Sequence, residues 1–201
     1  METNDLLLLE KSFDLAEKRL AAAAGTPLTA PTPCTLWTLR QLANHLVALP
    51  ATLARAVDGE QLEPGEFSPE KMAADDYVGG SPHGTEAASV FAAAAARALA
   101  ACRMPGALAG SVTMPLATVP LRAVVMATLS DITVHAWDVA RATEQNPALP
   151  DDLAETALTF LSTFITPPGR VGDRPNYAPV VAVPSYACAT DRLVAFVGRT
   201  P

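Results

Sequence analysis

Two long segments of the chain repeat apolar residues every three or four positions, the spacing that lines up side chains along one face of an α-helix. In the first segment the repeating residues are all leucines: Leu39, Leu42, Leu46, Leu49 and Leu53. In the second they are Leu121, Val125, Thr128, Ile132, His135 and Val139. A helix with one apolar face must pack that face against another element. The two segments therefore predict helices that share a buried core.

Residues that begin or end helices mark further helical segments. Asn4 is a capping residue type and Gly25 a helix-ending one, which predicts a first helix from Asn4 to about Ala24. Thr38 and Gln41 have the spacing of a capping box and predict the start of the second helix. The remaining helices are predicted at residues 85–102, 121–143, 151–165 and 191–199.

The order of these segments predicts an all-α fold, an up-down four-helix bundle with short extended and C-terminal additions. A chain of 201 residues suits a single domain, spanning residues 1–201, and can bury a sizeable core. Residues 59–84 are rich in Gly, Pro, Asp and Glu and show little periodicity, which predicts a long loop. Residues 110–115 are predicted to be extended.

Composition and charge exclude several classes of protein. The formal net charge of −7 argues against a nucleic-acid partner, which would need a basic patch. Arg97 interrupts the alanine-rich stretch at residues 87–102, and no uncharged apolar run reaches the length of about 18 residues that a membrane span needs. The N-terminus carries Glu2 and Asp5 where a signal peptide would carry basic residues. A cytoplasmic protein, monomeric or homodimeric, is expected.

The three cysteines, Cys34, Cys102 and Cys188, have neither the even number of a disulfide framework nor a C-x-x-C spacing. All three are interpreted first as small buried hydrophobic residues. Cys34 lies just before the predicted second helix, where the helix dipole could instead lower the pKa of its thiol.

The positions of the three histidines indicate a metal site. Asp131 and His135 are four residues apart on a predicted helix, so their side chains lie on one face of it. His45 lies at the edge of the apolar stripe of another predicted helix. Two imidazole nitrogens and one carboxylate oxygen would make a three-ligand site with open positions, as catalytic metal sites have. His83, in the predicted loop, is expected to be a loop residue rather than a ligand.

The same residues have a simpler interpretation. A histidine on a helix flank is often packed or hydrogen-bonded, and an aspartate four residues before it is often its ion-pair partner. Asp138 could orient a metal-binding His135 by accepting a hydrogen bond from the ring nitrogen that does not bind the metal. It could equally be a surface carboxylate paired with Arg141. Trp37 and Trp137 are expected to pack in the core or against a helix cap rather than to stack on a substrate.

Three segments of the chain resemble one protein family. Residues 33–46, PCTLWTLRQLANHL, resemble the P-C-x-x-W-T-x-x-x-L-x-x-H-L segment of the DinB/YfiT-like superfamily. Residues 134–143, VHAWDVARAT, are similar to the V-H-G-W-D-L-A-R-A-T-G segment of its actinobacterial branch related to mycothiol-dependent maleylpyruvate isomerase. The tail from Val183 to Arg199 is similar to the ending of that branch, so the likeness runs from about residue 31 to the end.

The resemblance implies a four-helix bundle that binds one divalent metal ion, commonly zinc or nickel. It implies three ligands, with His45 ending the W-T-x-x-x-L-x-x-H motif and Asp131 and His135 at the positions of an E-x-x-x-H pair. Family members with known activity bring a low-molecular-weight thiol, mycothiol in this branch, to the metal, where the thiol ionises and attacks an electrophile. The implied partners are therefore such a thiol and a small-molecule substrate.

Three functional hypotheses follow. The first is a metal-dependent thiol transferase or isomerase that acts on a small electrophile. The second is a non-catalytic ligand- or metal-binding protein on the same bundle, which Asp131 favours because an aspartate has a shorter reach than the glutamate of the family. The third is a metal-dependent hydrolase, with water instead of a thiol in the open position.

Overall fold

The computed structural model describes residues 2–35, 37–79, 86–113, 118–163, 165 and 177–201. Within these residues the helices are α1 (Glu2–Ala22), α2 (Leu39–Val57), α3 (Pro69–Ala74), α4 (Ala87–Cys102), α5 (Leu121–Ala142), α6 (Asp151–Ser162) and α7 (Ala189–Phe196). Two short strands, β1 (Ser111–Thr113) and β2 (Thr118–Pro120), form an antiparallel pair just before α5. The predicted all-α class is confirmed.

The four long helices α1, α2, α4 and α5 surround one apolar core. Helices α4 and α5 each contact both α1 and α2, which closes a ring of contacts. The leucine stripe predicted for α2 is buried in this core, at Leu39, Leu42, Leu46, Leu49 and Leu53. The rings of Phe13 in α1 and Phe91 in α4 meet edge to face, with centroids 5.9 Å apart. The helical periodicity of the sequence therefore marks the faces that pack.

Helix α5 is buried on two sides rather than one. Leu129 and Ile132 face the four-helix core, whereas Val134 and Trp137 belong to a second apolar cluster shared with α6 and α7. Helix α5 contacts α6, and α6 contacts α7. Helix α5 therefore forms the wall between two cores, and His135, on this wall, is buried.

Helix boundaries follow the predicted signals in some places only. Thr38 is the N-cap of α2, and its backbone N–H donates to Gln41 Oε1 at 2.9 Å, as the capping-box prediction requires. Helix α1 begins at Glu2, so Asn4 lies inside it and does not cap it. At the other end of the chain α7 stops at Phe196, before the predicted residue 199.

The segment between α2 and α4 contains short helices, so the prediction of an irregular loop is wrong for this part. Pro64–Phe67 forms a 3-10 turn, and α3 follows it. Ser68 caps α3 by accepting a hydrogen bond from the Lys71 backbone N–H. Asn44 of α2 anchors the segment, because its Oδ1 accepts a hydrogen bond from the Val78 N–H at 3.0 Å. In the described part of the chain, no helix has the length and apolarity needed to cross a bilayer.

Candidate metal centre

His45 of α2 meets Asp131 and His135 of α5 at one point in the structure. His45 Nε2 lies 3.1 Å from Asp131 Oδ2, and His135 Nε2 lies 3.3 Å from Asp131 Oδ1. The two imidazole rings have centroids 4.9 Å apart and are nearly perpendicular. One potential ligand atom from each residue lies within 4.8 Å of the other two, and this is the one such group among the described residues.

The three side chains differ in their exposure to solvent. The side chains of His45 and His135 are 1% and 7% exposed, whereas the carboxylate side chain of Asp131 is 34% exposed. The histidines are held by the apolar packing of α2 and α5, since their helical neighbours Leu46 and Ile132 are fully buried. The cluster therefore opens toward solvent on the side of Asp131.

The three side chains shift one another's pKa values. Burial lowers the pKa of His45, because a charged ring is poorly solvated there, and Asp131 opposes this only in part. Burial also disfavours a charged His135, but Asp131 and then Asp138 outweigh it and raise the pKa of His135 to about 9. Burial alone would raise the pKa of Asp131, but the two histidines have the larger combined effect and lower it. The metal-free cluster therefore combines a neutral His45, a charged His135 and an ionised Asp131 near neutral pH.

We expect the metal-free protein to lose stability as the pH rises from 6.5 to 9, the unfolded and folded pKa values of His135. Between these values the folded protein binds more protons than the unfolded chain, so its stability falls with increasing pH. The contribution of His135 is complete below pH 6.5 and is lost as the pH rises through about 9. Urea unfolding in the presence of a chelator across this range measures the effect, and His135→Gln should show a flatter profile. A wild-type profile as flat as that of the variant would contradict the raised pKa.

Asp138 lies behind His135. Its fully buried carboxylate accepts a hydrogen bond from His135 Nδ1 to Oδ2 at 2.8 Å. Arg199, in the segment after α7, donates from Nε to Oδ1 at 3.2 Å and from Nη2 to Oδ2 at 2.8 Å. The alternative expectation, a surface pair with Arg141, is wrong, because Asp138 is fully buried and pairs with Arg199. The Arg141 guanidinium lies instead 5.4 Å from the centroid of the Trp137 ring. The geometry agrees with the interpretation of Asp138 as an acceptor that orients His135.

His45 has no comparable partner among the described residues, since its Nδ1 is buried without a hydrogen bond. Its ring is covered instead by Trp37, whose centroid lies 4.8 Å from that of His45 and 5.6 Å from that of His135. The core prediction is confirmed for Trp137, which is 2% exposed. Trp37 is only partly buried, but it packs against the four-helix core and also borders the cluster.

A cavity of about 70 Å³ opens onto the cluster. The residues that share its wall with the three polar side chains are Cys34, Trp37, Pro69, Val134, Leu161, Tyr177 and Arg199. Burial raises the pKa of the Cys34 thiol to about 11, so the idea that a helix dipole lowers it is wrong. The Thr32 hydroxyl lies 3.1 Å from the Cys34 carbonyl oxygen and 2.9 Å from the Trp37 carbonyl oxygen, so its one proton can be donated to either.

The structure brings together the predicted residues His45, Asp131 and His135, with Asp138 behind them. His83 lies outside the described residues. Sequence reasoning missed Arg199 as part of this region, because 61 residues separate it from Asp138 and no helical spacing connects the two. The one available signal was the likeness of the Gly198-Arg199 ending to the family.

The chain matches a family and several proteins over most of its length. The family described as "Mycothiol maleylpyruvate isomerase N-terminal domain" matches residues 9–140. Two uncharacterized proteins of Mycobacterium tuberculosis, from strains CDC 1551 / Oshkosh and ATCC 25618 / H37Rv, are each 30% identical over 195 residues. These residues cover 97% of this chain and 97% of each relative.

Two solved structures have a similar fold. The crystal structure of the mycothiol-dependent maleylpyruvate isomerase gives a TM-score of 0.59 at 17% identity, over 78% of this chain and 67% of that chain. A histidine-to-alanine variant of that isomerase gives a TM-score of 0.61 at 17% identity, over 81% of this chain and 68% of that chain. At this level of identity the likeness shows a shared fold.

Proposed function

The chain belongs to the mycothiol maleylpyruvate isomerase N-terminal domain family, and from this membership we propose that it is a cytoplasmic, metal-dependent enzyme. It uses a low-molecular-weight thiol of the mycothiol type in a transfer to, or an isomerisation of, a small electrophilic substrate. The observation that carries the proposal is the convergence of two imidazoles and one carboxylate at a narrow cavity. The cytoplasm suits this chemistry because thiols are kept reduced there.

The three side chains fit one divalent ion. Zinc and nickel both accept imidazole nitrogen and carboxylate oxygen, and zinc takes them at about 2.0–2.2 Å. Two such bonds span at most about 4.4 Å, so ligand atoms that lie within 4.8 Å of one another could share one ion after small side-chain movements. Asp131 already directs one oxygen toward His45 and the other toward His135. His45, Asp131 and His135 are therefore the ligands we assign, and they leave at least one position open.

A bound ion would lower the pKa of a thiol that occupies the open position, so that the thiol ionises near neutral pH. The residues of the chain determine what can approach the open position. Trp37 makes tilted contacts with both imidazoles, and Trp37 and Cys34 both line the cavity that leads to the cluster. A cavity of about 70 Å³ admits the sulfur end of a thiol, whereas a whole ligand requires roughly 300–1,000 Å³. The remainder of the thiol and the electrophile therefore bind at the mouth.

A second candidate function is non-catalytic binding on the same fold. It is favoured by the contacts of Asp131, which engages both histidines through its two oxygens. These contacts hold the three side chains together without requiring an ion. Metal content and the response to thiols separate this function from the first.

We expect cobalt-substituted protein to gain a sulfur-to-cobalt charge-transfer band when mycothiol or a simpler thiol is added. The experiment uses a Cys34→Ser background, because the Cys34 sulfur lies in the wall of the same cavity. The band should be absent in His135→Ala. A spectrum unchanged by thiols, together with metal-dependent hydrolysis of a model ester, would replace thiol chemistry with the hydrolase hypothesis. Protein that stays metal-free in excess zinc and nickel would support the binding-protein hypothesis.

Asp131→Glu should retain or tighten metal binding, whereas Asp131→Ala should weaken it. The longer glutamate has the reach typical of the family's E-x-x-x-H pair, and the 34% exposed side chain of Asp131 leaves room for one more methylene. Calorimetric titration with zinc measures both effects, and Asp131→Asn is the matched control that removes the charge but keeps the shape. Equal affinity of Asp131→Ala and the wild type would show that the carboxylate is not a ligand.

A further inference from the structure

We propose that Arg199 is a positioning residue for the metal site, which acts through Asp138 to hold the His135 ring with Nε2 toward the other two ligands. The inference rests on the metal-binding function proposed above. The family match covers residues 9–140, so the inference gives a role in metal binding to a residue that lies outside the matched region.

The contacts form a continuous chain of charged groups. Arg199 donates to both oxygens of Asp138, at 3.2 Å to Oδ1 and 2.8 Å to Oδ2. The same Oδ2 atom accepts the hydrogen bond from His135 Nδ1 at 2.8 Å. The side chains of Arg199 and Asp138 are 8% and 0% exposed, so water competes little for these bonds. A guanidinium that holds both oxygens of a carboxylate also fixes the plane of that carboxylate.

The backbone after α7 fixes the position of Arg199. The Gly198 N–H donates to the Ala195 carbonyl at 3.1 Å, and the Arg199 N–H donates to the Val194 carbonyl at 2.9 Å. These are the two hydrogen bonds of a Schellman motif, and Gly198 supplies its left-handed residue with φ of 86°. A Cβ at Gly198 would lie 2.6 Å from the Cβ of Ala178 and 2.7 Å from its carbonyl oxygen, both too close for real atoms, so glycine is required.

This arrangement determines which nitrogen of His135 faces the other ligands. With the plane of Asp138 fixed, Oδ2 accepts the proton of His135 Nδ1, so Nε2 is the nitrogen that can give up its proton and bind an ion. Without Arg199, Asp138 would be a buried carboxylate with two fewer donors and free to turn toward another group. The ring of His135 would then lose the hydrogen bond that orients it.

The test compares the zinc affinities of Arg199→Met, Arg199→Lys and the wild type by chelator competition. Loss of a group that orients a histidine ligand typically lowers metal affinity by about ten- to a hundred-fold, which is the loss expected for Arg199→Met. Arg199→Lys should fall in between, because an ammonium group does not hold both carboxylate oxygens in one plane. Wild-type affinity in both variants overturns the proposal. If Arg199→Met does not fold, the affinity of Arg199→Lys decides alone.

Arg192→Met is the matched control. Arg192 lies in α7 and pairs with Glu155 of α6, so its removal loosens the same segment without touching Asp138. Its zinc affinity should equal that of the wild type. An equal loss in Arg192→Met and Arg199→Met would mean that Arg199 only anchors the C-terminal segment, which overturns the positioning role.

A double-mutant comparison tests the route through Asp138. In an Asp138→Asn background, Arg199→Met should cause no further loss of zinc affinity, whereas an undiminished further loss overturns the proposal. Should the wild type bind no zinc, the proposed function fails, but the His135 Nδ1–H resonance in proton NMR still tests Arg199. Exchange broadening of that resonance in Arg199→Met supports the positioning role, and an unchanged resonance overturns it.

Discussion

His135→Ala and His45→Ala should each leave a folded protein that no longer retains zinc or nickel after desalting. Each histidine supplies one of three donor groups, and a single carboxylate with one imidazole is too few ligands to hold the ion. Because loss of a mere orienting partner costs about ten- to a hundred-fold in affinity, loss of the ligand itself should cost more than about a hundred-fold. Metal content per chain, measured by mass spectrometry after zinc loading, checks the result.

The third histidine provides the control. His83→Ala removes the same kind of side chain from residues 80–85, a segment that the sequence predicts to hold no ligand. Its metal content should match that of the wild type. If His83→Ala lost the ion while His45→Ala kept it, our assignment of the ligands would be wrong.

Asp138→Ala should lower the free energy of unfolding by about 3–5 kcal/mol, the usual cost of breaking a buried ion pair by removing one partner. The reason is the buried guanidinium of Arg199, which is 8% exposed and would lose both oxygens of its acceptor. Urea unfolding at neutral pH in the presence of a chelator measures the change without a contribution from metal. The effect is large compared with the usual stability of a domain, about 5–15 kcal/mol.

A second substitution tests the cause. Asp138→Ala combined with Arg199→Met removes both charges and should be more stable than Asp138→Ala alone. Asp152→Ala is the matched control, because Asp152 pairs with Lys11 at 2.7 Å but half of its side chain is exposed. Exposed pairs contribute about 0–1 kcal/mol, so this variant should unfold nearly as the wild type does. Similar losses in Asp138→Ala and Asp152→Ala would contradict the account of a buried pair.

The parts of the structure that follow from local sequence were predictable. The spacing of Leu39, Leu42 and Leu46 marks the face of α2 that packs in the core, and it places His45 next to that face. Asp131 and His135 share a face of α5 because four residues make about one helical turn. The residues Asp131 and His135 of α5 and His45 of α2 could therefore be predicted as candidate ligands before their distances were known.

The parts that depend on contacts between distant segments were not predictable in this way. A single stripe was predicted for α5, but Val134 and Trp137 pack on its other side against α6 and α7. The hydrophobic period of a helix does not show how many neighbours the helix has. Arg199 follows the last helix and reaches Asp138 through a turn made possible by Gly198, and no local pattern connects the two.

Because α5 is the wall between two cores, the candidate site joins two regions that could otherwise open separately. The approach of His45 to Asp131 requires α2 to pack on one side of α5, whereas the support of His135 requires the segment after α7 to pack on the other. An ion that binds only when both sides are packed would oppose local opening of either side by its binding free energy. The concentration of the metal ion would then determine how cooperatively the two cores unfold.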